Sequence, residues 1–122
     1  MDNPQPVFPA YIRYSGEDGV TLVSGSEEWK IDMDLIMGDF CVEDQLIDSL
    51  GQVFRIEMET AGPKRGTNTL HATGVFMGTE DVRMHMMKAL EEIRDRDLRL
   101  RVKAAIFQTE EIATVIKHCR FL

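Results

Sequence analysis

The side chains with the most direct access to chemistry are three histidines and two cysteines, and their spacing limits what they can do together. His118 and Cys119 are sequence neighbours, but consecutive positions on a helix point about 100° apart, so base and thiol would not face each other. Cys119 reads instead as a small apolar core residue. Cys41 lies far from it in the chain and the two have no metal-ligand spacing, so free thiols are expected and not a disulfide framework. No nucleophile elbow, phosphate loop, dinucleotide fingerprint or paired-cysteine zinc motif occurs, and no cofactor is expected. His71 and Thr73 share one side of a predicted strand, while His85 falls on a helix flank. A ligand-binding or enzymatic site would need His71, Thr73 and the Lys64-Arg65 hairpin tip to converge with acids on a concave surface.

Charge is the stronger signal. Within a net charge of −7, residues 1–59 hold −10 and residues 60–122 hold +3. Asp32, Asp34, Asp39, Glu43 and Asp44 concentrate the acids, with glycine and closing glutamate at the wrong offsets for the recurrent calcium loop, so the segment reads as solvated and suited to a basic protein partner. An acidic chain repels nucleic acid at long range. Arg99, Arg101 and Lys103 share one face of a predicted strand with only Phe107 as an aromatic, which is too little for stacking on single strands. A charged, guarded sheet edge is the plainer reading of that face, and no nucleic acid is expected.

These groups need elements to position them. At 122 residues, 43% hydrophobic and 29% charged, the chain fits a single domain with a real core. No apolar run approaches the roughly 20 residues that span a bilayer, and the start lacks a secretion signal, so a cytoplasmic protein without membrane contact is expected. Residues 1–6 are expected to be a loose terminus. Val7 to Tyr14 and Val20 to Ser24 read as a first hairpin, Trp29 rides a short helical turn, Phe40 to Val42 reads as a short strand, and Gly51 closes a tight turn. Gln52 to Glu59 alternates Phe54, Ile56 and Met58 against Val53, Arg55 and Glu57, and pairs with Leu70 to Met77 as a long central hairpin.

The run Pro9-Ala10-Tyr11-Ile12-Arg13-Tyr14, the acidic turn after it, Trp29, and Asp44-Gln45-Leu46-Ile47-Asp48-Ser49-Leu50-Gly51-Gln52-Val53-Phe54 together resemble the small bacterial family called domain of unknown function 4144. The resemblance covers most of the chain and implies no activity and no site residues. The basic Arg99, Arg101 and Lys103 depart from that family's expected pattern.

After the central hairpin, Thr79, Glu80 and Asp81 mark a helix start, with Thr79 as the cap and Val82, Met86, Ala89, Leu90 and Ile93 as the core arc of a helix to about Arg94. Leu98 to Phe107 alternates almost without a break and reads as a strand; if it runs parallel to the preceding strand, the crossover that joins them is right-handed. A closing helix presents Ile112, Val115, Ile116 and Cys119. The expected fold is α+β, a mostly antiparallel sheet of about five strands with two helices packed on one face. Met84 and Met87 lie off the core arc of residues 79–94, which suggests a homodimer or another partner contact through that helix. The function that follows is non-enzymatic protein interaction by an adaptor, regulator or immunity-type inhibitor.

Overall fold

The computed structural model describes residues 4–58 and 66–120, leaving aside the side chains of Lys30, Met33 and Asp34. Five strands, β1 (Ala10–Arg13), β2 (Val20–Val23), β3 (Gln45–Ile47), β4 (Gln52–Met58) and β5 (Asn68–Phe76), form one antiparallel sheet in the order β2-β1-β3-β4-β5. The helical segments are α1 (Glu28–Ile31), α2 (Met33–Met37), α3 (Thr79–Leu90), α4 (Arg96–Phe107) and α5 (Ile112–His118).

Alternation along the strands sets the layers. In β1, Ala10 and Ile12 point to one side and Tyr11 to the other, and all three are fully buried, so both faces of the sheet centre are covered. One core joins Tyr11, Ile47 and Val53 to Val82, Met86 and Leu90 of α3, Val102 and Ile106 of α4, and Val115 and Ile116 of α5. The other joins Ala10, Ile12, Leu46, Phe54 and Ile56 to Leu35 of α2, with Trp29 and Leu70 at its margin. Two helices on one face is therefore corrected to three there, with the short α1 and α2 opposite. Helices of four and five residues are far too short to stand alone. Burial of Leu35 and packing of Trp29 hold them.

The two expected hairpins are present, and Ile56 faces Leu70 across the central one. Near its end β5 bulges: three residues between Ala72 and Phe76 oppose the single residue between Gln52 and Phe54, and Gly74 supplies the positive φ of 81°. Phe40 to Val42 forms no strand.

The largest correction is Leu98 to Phe107, which is helix and not strand. Perfect alternation contains the spacing i, i+4, i+8, and Leu98, Val102 and Ile106 use it to line one arc against the first core while Leu100 and Phe107 stay exposed. Asp95 decides the matter locally, because its carboxylate accepts the Leu98 N–H at 3.0 Å as an N-cap. The chain beyond β5 is thus three consecutive helices, without a parallel crossover. The start of α3 also differs: Gly78 occupies the cap position, Asp81 accepts the Gly78 N–H at 3.3 Å, and the Thr79 hydroxyl donates to Glu110 O at 2.7 Å. The helix ends at Leu90, short of Arg94.

The turn between β3 and β4 is organised by a buried carboxylate. Asp48 accepts the N–H groups of Leu50 at 3.0 Å and Gln52 at 2.8 Å through Oδ1, and those of Val7 at 2.9 Å and the Gln52 side chain at 2.7 Å through Oδ2. Gly51 turns beside it with φ 82°, where a Cβ would come within 2.2 Å of Met77 O. Replacing Asp48 by alanine removes the acceptor of three part-buried backbone N–H groups. Asp48→Ala is expected to lower stability by about 3 kcal/mol or more, whereas the exposed Asp18→Ala should fall within about 0.5 kcal/mol of the parent. Urea unfolding midpoints of the two variants check this.

Candidate functional site

Between the N-terminal segment, α1 and the start of β5 lies an open cleft of about 490 Å³, lined by Gln5, Pro6, Phe8, Ser26, Trp29, Asn68, Thr69 and Leu70. Its walls are tied down from several directions. The Asn68 side chain donates to Leu35 O at 2.9 Å and Gly38 O at 2.8 Å, fixing α2 to the first residue of β5. The Trp29 indole donates to Asn68 O at 3.1 Å. Asp48 holds Val7, beside Phe8, and the Gln52 amide reaches Gln5 O at 3.4 Å. The lining is apolar except for amide and hydroxyl groups, so the cleft offers contact area and a few hydrogen bonds, at a volume ordinary for ligand sites. Glu27 and Glu28 stand between the lining residues Ser26 and Trp29 in the chain, and the Glu28 carboxylate accepts the Ser24 N–H at 3.0 Å.

The predicted acidic surface is only partly a surface. Asp32, Asp39 and Glu43 are exposed, and Glu43 accepts the Ser15 hydroxyl at 2.7 Å. Asp44 is instead buried, where it accepts Ser15 N–H and Cys41 N–H, each at 2.8 Å, and joins the β1–β2 turn to the segment before β3. It is removed from the partner surface because its carboxylate already serves the backbone. The Asp34 side chain lies outside the described residues. The expected methionine pair also divides: Met84 is 51% exposed, while Met87 is partly buried and packs against the first core.

The remaining chemical candidates do not converge. His71 meets the Thr69 hydroxyl at 2.9 Å and Glu57 at 3.5 Å, and the Thr73 hydroxyl donates to Val53 O at 2.8 Å. His71 and Thr73 alternate away from Leu70 and do not line the cleft, although Thr69, which His71 meets, does. Lys64 and Arg65 lie outside the described residues. Cys119 is fully buried, which pushes its thiol up to about 12, and His118 is exposed beside it, so the pair forms no dyad. Arg99 donates to Ile93 O at 2.8 Å, Lys103 pairs with Glu91 and Arg101 is exposed, so these residues lie on a helix and form no stripe on a strand. Among the described residues no group of three or more histidine, cysteine or acidic side chains could hold a metal, and no helix is long and apolar enough to cross a membrane.

One titratable contact escaped the sequence reading. The Tyr11 hydroxyl, inside the first core, meets His85 Nδ1 at 2.7 Å across the gap between β1 and α3. Burial raises the Tyr11 hydroxyl well above its ordinary range, with Arg13 opposing and Asp81 reinforcing. Burial also lowers His85 from 6.5 to about 4, assisted by Arg13 and Lys88 and opposed by Asp81. Both groups are neutral at pH 7, and the alternating pattern of Tyr11 with Arg13 contained no hint of the histidine 74 positions away.

Because the unfolded chain takes up the His85 proton near 6.5 and the folded chain only near 4, stability is fully present above 6.5 and is lost as pH falls between those values. The ring is half-buried, so solvent screening reduces the effect to on the order of 1–2 kcal/mol. His85→Gln, which keeps a neutral hydrogen-bonding partner for Tyr11, should flatten the profile between pH 7 and about 4.5 in urea unfolding. Equal slopes in the two proteins would contradict the assignment.

No family model, no curated protein and no solved structure matches this chain. The functional reading therefore rests on the cleft and the charges around it.

Proposed function

We propose that this chain works by protein association, as an adaptor, regulator or immunity-type inhibitor of a basic partner, using the face that carries the cleft and the exposed acids of its first half. The carrying observation is the apolar opening bounded by Phe8, Trp29 and Leu70, with Glu27 and Glu28 between two of its lining residues in the chain. Apolar area supplies the affinity in such a surface, and a ring of like charge selects partners of opposite sign and speeds their encounter. The alternative, a small-ligand or enzymatic site at His71 and the Lys64-Arg65 tip, has its histidine bonded to Thr69 and not among the residues that line the cleft.

Raising salt from about 0.1 M to about 1 M shortens the Debye length from roughly 10 Å to roughly 3 Å. Immobilised chain is therefore expected to capture protein from native lysate at the lower salt and release it at the higher, with capture reduced several-fold by Asp39→Lys plus Glu43→Lys. Capture that ignores both salt and charge reversal would end this reading.

Self-association through residues 79–94 is a separable proposal supported by exposed Met84. Because Met87 belongs to the core margin, the clean variant is Met84→Glu alone. Sedimentation should show a dimer in the parent and a monomer in this variant, and a parent that stays monomeric at high concentration rejects the contact.

A further inference from the structure

We infer that the cleft receives an extended, lysine- or arginine-rich peptide segment that adds to β5 as a sixth strand; this deepens the association reading above and rests on it. β5 is an edge of the sheet. Natural edges are commonly guarded by charged side chains, yet residues 66–79 contain no Asp, Glu, Lys or Arg.

The register identifies the groups that face outward. Gln52 O accepts Asp48 N–H on the β3 side, and Gly51 O accepts Met77 N–H on the β5 side. By alternation the main chains of Arg55 and Glu57 turn towards β5, where they oppose His71 and Thr69. The main-chain groups of Asn68, Leu70 and Ala72 then point away from β4. Trp29 already occupies the Asn68 carbonyl, and it marks where the open edge begins.

Leu70 and Ala72 thus present two N–H and two C=O groups to an incoming strand. A residue paired with Leu70 would place its side chain on the same sheet face, beside Phe8 and Trp29 in the cleft. Strand addition and pocket filling are therefore geometrically coupled. Charge complementarity commits the occupant: five of the eight lining residues, and the exposed Glu27 between two of them in the chain, belong to the first 59 residues, which carry −10. A second copy of this chain, itself at −7, would bring like charge to the same cleft.

Trp29 is the single tryptophan of the chain, so its emission reports occupancy directly. The probe is a nine-residue peptide with capped ends, alternating lysine and valine about a central phenylalanine. It is expected to shift Trp29 emission saturably, and its counterpart with glutamate for lysine should bind at least tenfold more weakly. Methylation of alternate backbone nitrogens in the lysine peptide should cost tenfold or more, as should Ala72→Pro, which removes an outward N–H and leaves the β4 ladder intact by circular dichroism. Equal binding of methylated and unmethylated peptides would overturn strand addition while leaving association through the cleft standing. Absence of any titration overturns this inference too, with lysate capture deciding separately whether the chain associates at all. Concentration-dependent dimers abolished by Ala72→Pro would reassign the edge to a second copy and likewise overturn it.

Discussion

A carboxylate with no exposure to solvent must recover within the protein the hydration it gave up, and Asp48 does so by accepting four hydrogen bonds. Losing hydration costs such an ion several kcal/mol, and charge-assisted bonds of good geometry are what offset it. Leu50 and Gln52 donate from the turn that follows Asp48 and Val7 donates from the segment before β1, so the charge is fully satisfied only when those two stretches meet. Once they meet, Ser49 adds bonds to Val7 O at 2.9 Å and Pro9 O at 2.6 Å, and Met77 N–H closes on Gly51 O at 2.7 Å. The same knot therefore fixes the β3–β4 register, the path of the N-terminal segment and the departure of the chain towards α3. It also sets Phe8 against the sheet, which gives the cleft one wall.

That constraint explains part of the charge imbalance. Two of the acids in the first half, Asp44 and Asp48, are buried backbone acceptors and contribute little to any outward field. Composition alone cannot separate such acids from solvated ones, because both are short carboxylates next to turn residues. The Asp44 bonds run to Ser15 and Cys41, and only the Cys41 partner lies within a few positions. Asx-type bonding across a turn was legible at Asp48, where Leu50 and Gln52 follow closely. Its bond to Val7, 41 positions away, was not.

The same division runs through the fold. The sheet was readable in Gln52 to Met58 because Phe54 and Ile56 alternate with Arg55 and Glu57, charges that no buried helix face would carry. Leu98 to Phe107 misled because its period of two also satisfies a helical spacing of four, and the difference lay in Asp95, outside the alternating run. Leucine, arginine and alanine fill most of that run, all good helix formers, whereas only Val102 and Ile106 are β-branched. Local propensity and the cap agreed with each other, and the pattern was the weaker witness. Met87 lies off the arc of Val82, Met86 and Leu90 in the sequence, yet it packs against the first core, to which α4 and α5 also contribute. The cleft was illegible for a different reason: Phe8, Trp29, Asn68 and Leu70 come from three distant segments, and each looks like an ordinary core residue by itself.

What these features share is an uneven distribution of polar satisfaction. The interior meets its demands closely: among the described residues no buried side-chain nitrogen or oxygen lacks a partner. At the β5 edge the sheet stops without the charges that edges commonly carry, and the neighbouring apolar cleft stays open. An unguarded edge is a hazard for uncontrolled pairing unless something limits its reach. Here Trp29 occupies the carbonyl at one end and the Gly74 bulge breaks the ladder at the other, so the open stretch is confined to Leu70 and Ala72. A window of that length is too short to template indefinite sheet growth, yet it lies beside a cleft that can add side-chain contacts to main-chain bonds. Pairing there gains most for a segment that also fills the cleft, which is how a short edge can be both protected and selective.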